Sequence, residues 1–137
     1  MKIVETTDLT APHALRRAVF IEEQGIAEVE EWDDLDAEAV HLVALDGDTP
    51  LGTARLFVTG DLGKIGRVCV AKPARGTGLG AALIREGCTR LAAAGCTRVQ
   101  LGAQCSAIPF YEKLGFVAFG PEYDDAGIPH RNMEKPL

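Results

Sequence analysis

The sequence lacks several features that would place a protein in a class immediately. No apolar run approaches the roughly 20 residues that a membrane-spanning helix needs, and the chain turns polar within its first five residues, so neither a membrane partner nor a secretory signal is expected. The four cysteines (Cys69, Cys88, Cys96 and Cys105) show no C-x-x-C spacing and lie among apolar residues. This pattern predicts reduced, mostly buried thiols in a cytoplasmic protein. No His, Cys and Asp spacing suggests a metal site.

Positive charge is also scarce. The 137 residues carry 14 Lys and Arg against 20 Asp and Glu, a formal net charge of −6. Because no basic stripe is available to neutralise phosphates, a nucleic-acid partner is not expected. Residues 28–38, hereafter the acidic segment, hold seven of the acids and no base. Two interpretations stay open for this segment: a solvated loop, and an acidic wall that attracts a cationic amine.

What the sequence does contain fits one domain with one core, over residues 1–137. Hydrophobic periodicity and turn residues predict the order β-α-β-β-β-α-β-α-β-β, a mixed α/β sheet with helices on its faces. Residues 98–101 are expected to run parallel to residues 65–70 through a right-handed crossover. Strands are predicted at 3–5, 40–45, 51–58, 65–70, 98–101, 116–119 and 130–135, and helices at about 8–24, 81–94 and 106–115.

The most informative segment runs from Val68 to Gly80, where a short apolar strand leads through Pro73 into Arg75-Gly76-Thr77-Gly78-Leu79-Gly80 and then a helix. A glycine turn before a helix leaves backbone N–H groups free at the positive end of the helix dipole, which favours a phosphate or pyrophosphate. A P-loop is excluded, because Ala81-Ala82 follows where Lys-Ser or Lys-Thr is required. The spacing also differs from the Rossmann G-x-G-x-x-G. From the glycines alone, an ordinary strand–helix turn remains equally open.

A second motif lies further along the chain, in the segment Ser106-Ala107-Ile108-Pro109-Phe110-Tyr111-Glu112-Lys113-Leu114-Gly115-Phe116. Ser106 is predicted to be the N-cap of a short helix that has Pro109 in its first turn, where the missing N–H costs little. Gly115 is predicted to follow the C-terminus of this helix.

The two motifs together closely resemble the GNAT superfamily of N-acetyltransferases. R-G-x-G-x-G after a V-x-V strand resembles the coenzyme A pyrophosphate loop, and A-x-x-F-Y-E-K-L-G-F resembles the second signature. Residues 19–26, 39–44 and 126–135 resemble a small, single-domain ElaA-like branch. The resemblance implies a GNAT fold: a central, mostly antiparallel sheet with one parallel, splayed strand pair and helices on both faces.

The resemblance also implies a reaction, the direct transfer of an acetyl group from acetyl-CoA to a small amine or a protein amino group in a ternary complex. Val70 would offer its backbone N–H to the acetyl carbonyl, and Tyr111 would be the general acid that protonates the leaving thiolate. The residues expected to bind the coenzyme are Val68, Cys69, Val70, Arg75, Gly76, Thr77, Gly78, Leu79, Gly80, Ser106 and Tyr111.

The general base and several alternatives stay open at this point. A protonated alkylamine must lose a proton before it can attack. The candidates on the substrate side are Glu23, Asp34, Asp36, His41 and His130, and His41 is the residue we predict as the base. A covalent role for Cys69 is disfavoured, since no histidine neighbours it in sequence. The chain could instead be a non-catalytic acyl-CoA-binding module, or use a longer acyl-CoA. Both a monomer and a homodimer are compatible with the sequence.

Overall fold

A computed structural model describes all residues, 1–137, and contains one seven-stranded sheet with helices packed on it. No helix in it is long and apolar enough to cross a membrane. The strands are β1 (Lys2–Thr6), β2 (Val40–Asp46), β3 (Thr49–Thr59), β4 (Leu62–Val70), β5 (Arg98–Gln104), β6 (Val117–Asp125) and β7 (Ile128–Pro136). The α-helices are α1 (Thr10–Arg16), α2 (Glu28–Glu31), α3 (Leu79–Ala93) and α4 (Ile108–Glu112). Shorter turns of helix are π-helical at Arg17–Glu23 and 3₁₀ at Asp36–Glu38, Lys72–Ala74 and Cys105–Ala107.

The strands follow the order β1-β2-β3-β4-β5-β7-β6, and every neighbouring pair except one is antiparallel. The exception is β4 with β5, which are parallel and pair only through Leu62, Gly63 and Lys64 of β4. Beyond these residues the two strands separate, so the rest of β4 has a free edge on this side. The predicted fold, with one parallel and splayed strand pair, is confirmed.

Each face of the sheet has its own apolar cluster. The larger one lies under α3, where Leu83, Ile84 and Leu91 are 0–1% exposed, and α4 packs against the same cluster. The smaller cluster joins α1 and the π-helical turn to the opposite face through Leu15, Val19, Phe20 and Cys69. Helices therefore cover both faces, as expected.

A β-bulge in β4 changes the face of the sheet toward which its side chains point. In β3, Thr53 pairs with Cys69 and Arg55 pairs with Gly66, so one residue of β3 faces two of β4. Arg67 lies in this bulge with φ 49°, a left-handed conformation that costs a non-glycine residue roughly 1–2 kcal/mol. Residues four apart on a regular strand share a face, yet Ile65 packs under α3 while Cys69 packs against α1. The bulge therefore redirects the second half of β4 and helps to end its pairing with β5.

Two local predictions need correction. The helix predicted for residues 8–24 is α-helical only to Arg16 and continues as a π-helical turn to Glu23. The predicted N-cap, Ser106, is wrong: α4 begins after Ala107, and no side chain caps it. Ser106 lies instead in the preceding 3₁₀ turn, exposed, because that turn carries the chain from β5 into α4.

Candidate active site

A cleft of about 480 Å³ opens where β4 and β5 separate. Its walls come from the π-helical turn, α2, β4, β5, α4 and the β6–β7 hairpin. Among the residues predicted for the site, it brings together Glu23, Val68, Cys69, Val70, Arg75, Tyr111 and His130.

The glycine loop (residues 75–80) lies beside this cleft and has the features of an anion site. Gly76 and Gly78 adopt φ 77° and 85°, and no atom lies within 4 Å of the position that a Cβ would occupy at either residue. Gly78 is the N-cap of α3, and its carbonyl accepts the first helical hydrogen bond, from Ala82 N–H. The N–H groups of Leu79, Gly80 and Ala81 therefore have no helical partner. An open backbone surface with free donors at a helix N-terminus fits a pyrophosphate group.

The edge of β4 also carries free backbone groups. Ala71 N–H donates to Leu51 O at 2.8 Å, so the adjacent Gly52–Val70 pair is the type that exchanges no hydrogen bonds. The N–H and C=O of Val70 consequently point away from β3, into the gap beside β5. The Val70 carbonyl already accepts a hydrogen bond from Arg75 Nε at 3.0 Å, and the N–H faces the same gap.

Tyr111 stands at the opposite wall of the cleft. Its ring packs edge-on against Phe110 and Phe116, with centroid distances of 5.0 and 5.8 Å, and its hydroxyl makes no hydrogen bond. Burial raises the pKa of Tyr111 to about 12, which keeps the phenol protonated at any physiological pH. Phe110 lies 3.4 Å from the Cβ position of Gly80, so α4 packs directly on the glycine loop.

His130, on β7, lines the same cleft, and only one of its ring nitrogens makes a hydrogen bond. Its Nδ1 lies 2.8 Å from the carbonyl oxygen of Ile128. A carbonyl oxygen can only accept, so Nδ1 carries a hydrogen, and Nε2 makes no hydrogen bond. The ring stacks on Tyr123 at 5.8 Å and 26°, and the Tyr123 hydroxyl donates to Asn132 Oδ1 at 3.0 Å. Both contacts fix the orientation of the imidazole.

Arg75 and Glu23 form an ion pair across one side of the cleft. Nη1 and Nη2 of Arg75 each donate to a carboxylate oxygen of Glu23 at 2.7 Å, and the pair holds the pKa of Glu23 below its ordinary value. The guanidinium expected to assist a pyrophosphate is therefore bound to Glu23 and to the Val70 carbonyl in this structure. Neither partner belongs to the glycine loop.

Cys69 faces away from the glycine loop, into the apolar cluster under α1. Burial raises the pKa of its thiol to about 12, with the nearby Glu31 charge adding to the effect. A thiol with so high a pKa supplies almost no thiolate at neutral pH, which argues against a covalent role. No group of three His, Cys, Asp or Glu side chains is arranged to hold a metal ion.

The other predicted residues of the substrate side lie outside the cleft. Asp34 is exposed and forms no ion pair, whereas Asp36 accepts hydrogen bonds from Arg16, Arg55 and His13 at 2.8–2.9 Å. Burial by itself would raise the pKa of Asp36, but these three donors outweigh burial and hold it well below its ordinary value. His41, predicted to be the base, is 3% exposed and donates from Nε2 to the Asp36 carbonyl at 2.8 Å. The His41 side chain contacts the acidic segment and does not line the cleft, so its position favours a structural role.

Sequence reasoning missed three groups that line the cleft: Arg67, Glu31 and Tyr123. Arg67 and Glu31 are joined by a hydrogen bond of 3.1 Å between elements 36 residues apart. No local pattern signals such a pair. Tyr123 could have been found from its place on the strand before His130, since both residues belong to one hairpin and pair directly.

Comparison with known proteins identifies the family. Residues 12–137 match the sequence model described as "Acetyltransferase (GNAT) domain". The chain is 38% identical over 122 residues to the uncharacterized N-acetyltransferase YjcF of Bacillus subtilis, covering 88% of this chain and 87% of that protein. It is 30% identical over 144 aligned positions to protein ElaA of Escherichia coli, covering 98% and 91%. A crystal structure of a Lactobacillus plantarum protein matches at 34% identity with a TM-score of 0.91, covering 99% of this chain and 97% of that chain. The chain therefore belongs to the GNAT acetyltransferase family, with ElaA among its relatives.

Proposed function

We propose that this chain transfers an acetyl group from acetyl-CoA directly to a primary amine, within a ternary complex. The observation that carries the proposal is the gap between β4 and β5. Val70, Tyr111 and His130 line the cleft in this gap, and the free N–H donors of the glycine loop lie beside it. Acetyl-CoA supplies the thioester, and each of these groups has a role in using it.

The glycine loop would bind the pyrophosphate through the N–H groups of Leu79, Gly80 and Ala81, and the free edge of β4 at Val68–Val70 would pair with the pantetheine as a short added strand. The Val70 N–H faces the gap and would donate to the acetyl carbonyl oxygen. When the pantetheine pairs with this edge, we expect Arg75 to release the Val70 carbonyl, which would free its guanidinium to assist at the pyrophosphate.

Two side chains would move protons. The Tyr111 phenol is protonated and has no competing acceptor, so it can donate to a departing thiolate. His130 Nε2 makes no hydrogen bond and the ring is held by Ile128 and Tyr123, so this nitrogen can accept, directly or through a water, the proton that the acceptor ammonium must lose before the amine attacks. We therefore replace His41 by His130 as the proposed base.

The experiment is thiol release from acetyl-CoA with a panel of primary amines, run beside calorimetry of coenzyme A binding. An acetyltransferase should show binding and amine-dependent thiol release. Binding without thiol release for any amine would favour the non-catalytic module. Faster release from propionyl-CoA or butyryl-CoA would favour a longer acyl donor. Absence of coenzyme binding would contradict the proposal altogether.

A further inference from the structure

Arg67 is a cationic side chain of the cleft that the proposed reaction does not use. Its backbone is left-handed, at φ 49°, although it carries a long side chain. The bulge that imposes this conformation places Arg67 on the α1 side of the sheet and into the lining of the cleft. Strained residues of this kind persist only where the surroundings hold them in place, and they cluster at functional sites.

The guanidinium of Arg67 is held along one edge and open at its other end. Nε donates to Glu31 Oε2 at 3.1 Å, and Nη2 donates to the Glu31 carbonyl at 3.2 Å and to Asp33 Oδ2 at 3.5 Å. Nη1 makes no hydrogen bond, and it is not among the fully buried atoms that lack a partner. One nitrogen therefore remains available to a ligand in the cleft.

Glu31 holds Arg67 without cancelling its charge entirely. The Glu31 side chain is 3% exposed, and its Oε2 also accepts from Arg16 Nε at 2.8 Å, so two arginines share one carboxylate oxygen. Its Oε1 accepts no hydrogen bond and, like Nη1 of Arg67, is not fully buried. This side of the cleft thus offers the free Nη1 of a fixed arginine, Arg67, as a donor, and Oε1 of Glu31 as an acceptor.

The surrounding charges balance, so the acidic segment does not make this wall strongly negative. Three arginines face three carboxylates in one connected network, whose members are Arg16, Arg55, Arg67, Glu31, Asp33 and Asp36. The unpaired carboxylates that line the cleft are Glu30 and Asp125, and both are exposed to water, which weakens their attraction for a cation.

We propose that Arg67 binds the carboxylate of an acceptor that carries an amine and a carboxylate on one short chain, an amino-acid-type acceptor. This inference rests on the proposed acetyl transfer and specifies its substrate class. A guanidinium held in place by a buried partner gives short, charge-assisted hydrogen bonds to a carboxylate. Because Arg67 is fixed before the ligand arrives, binding needs little ordering of the side chain.

The test compares acceptors of equal length that differ only in their second group. One set is γ-aminobutyrate, its amide and putrescine; a shorter set is glycine, glycinamide and ethylenediamine. For each acceptor, kcat/KM is measured by thiol release from acetyl-CoA in the wild type, Arg67→Asn, Arg67→Lys and Arg85→Asn. Asparagine tolerates the left-handed backbone, so Arg67→Asn removes the guanidinium while sparing the bulge. Arg85 is an exposed arginine on α3, away from the cleft, and serves as the matched control.

In at least one set, the wild type should prefer the carboxylate over the amide by about tenfold or more, as expected for a hydrogen-bonded charge pair. Arg67→Asn should abolish the preference, Arg67→Lys should restore part of it, and Arg85→Asn should keep it. A wild-type preference for the diamines, a carboxylate preference that survives Arg67→Asn, or coenzyme binding with no acetylation of either carboxylate acceptor would overturn the inference. Absence of coenzyme binding would instead count against the proposed function itself.

Discussion

Two tyrosines and two histidines acquire different chemistry from their surroundings. Tyr111 and Tyr123 both line the cleft, but only the Tyr111 hydroxyl lacks an acceptor. His41 and His130 each donate to a backbone carbonyl, but only His130 lines the cleft. At the scale of the residue, the role of a side chain therefore follows from its unused hydrogen-bonding atoms and the direction they face.

Tyr111→Phe removes the proposed proton donor and keeps the ring contacts with Phe110 and Phe116. Loss of a general acid typically lowers the rate by about 10²–10⁴, so kcat should fall by this factor while coenzyme affinity stays close to that of the wild type. Steady-state kinetics with chemistry shown to be rate-limiting, together with calorimetry, would measure both. Tyr123→Phe is the matched control and should cost far less. Equal losses in the two variants would remove Tyr111 from the mechanism.

His130→Asn tests the proposed base. An asparagine amide can still donate to the Ile128 carbonyl, but it cannot accept a proton at neutral pH, so kcat should fall by about 10² or more. His41→Asn is the contrasting variant, because His41 is buried against the acidic segment. The unfolding temperature of this variant should drop, while kcat of its folded fraction should change little. If His41→Asn loses catalysis and His130→Asn does not, the assignment of the base must be reversed.

At the scale of the element, the acidic segment is neither a solvated loop throughout nor a free acidic wall. Glu31, Asp33 and Asp36 are bound by arginines from α1, β3 and β4, and Glu28 pairs with Arg17. The segment therefore fastens α1 to the sheet on the side of the cleft. Its negative charge in the sequence is largely matched by arginines that come from distant positions in the chain.

Asp36→Asn should destabilise the fold by on the order of 3 kcal/mol at neutral pH, because it leaves Arg16 and Arg55 short of a buried partner. The pKa of Asp36 is lowered in the folded state, so the stability it contributes is present above its unfolded value, near pH 3.9, and is lost as the pH falls below that value. The difference in free energy of unfolding between the wild type and Asp36→Asn, measured by urea unfolding, should therefore become smaller as the pH is lowered from 7 to 3. Asp34→Asn, at an exposed residue without an ion pair, should change stability by less than about 0.5 kcal/mol. A penalty for Asp36→Asn that does not change with pH would contradict this account.

The elements differ in how far the sequence predicts them. The strand, glycine turn and helix at Val68–Gly80 are predictable, because positive φ at Gly76 and Gly78 and the apolar period of α3 are local properties. The bulge at Arg67 is not, because arginine gives no signal of a left-handed backbone and the residues that hold it lie 34 and 36 positions away. The prediction of Ser106 as an N-cap is wrong for a related reason. A serine before a helix is only a local preference, and the chain makes an extra 3₁₀ turn there.

At the scale of the whole molecule, the proposed function depends on a sheet in which two neighbouring strands, β4 and β5, separate. The parallel pair of β4 and β5 ends after three residues, the bulge redirects β4, and α3 and α4 bring the glycine loop and Tyr111 to the resulting gap. These features come from four parts of the chain, and each is positioned by packing against the same core. The proposed reaction requires all of them, and we expect binding of the coenzyme to depend first on the glycine loop.

Coenzyme A binding to Gly78→Glu, measured by calorimetry, is the most direct test of this account. The new carboxylate would lie among N–H groups proposed to bind pyrophosphate. Gly60→Glu is the matched control, because Gly60 has φ 62°, open space around it and a position in the β3–β4 turn, so it adds the same charge and the same backbone strain elsewhere. The account predicts that the wild type and Gly60→Glu bind alike, and that Gly78→Glu binds at least about a hundredfold more weakly, a loss of roughly 3 kcal/mol. A folded Gly78→Glu protein with wild-type affinity would contradict the central claim that this loop holds the coenzyme.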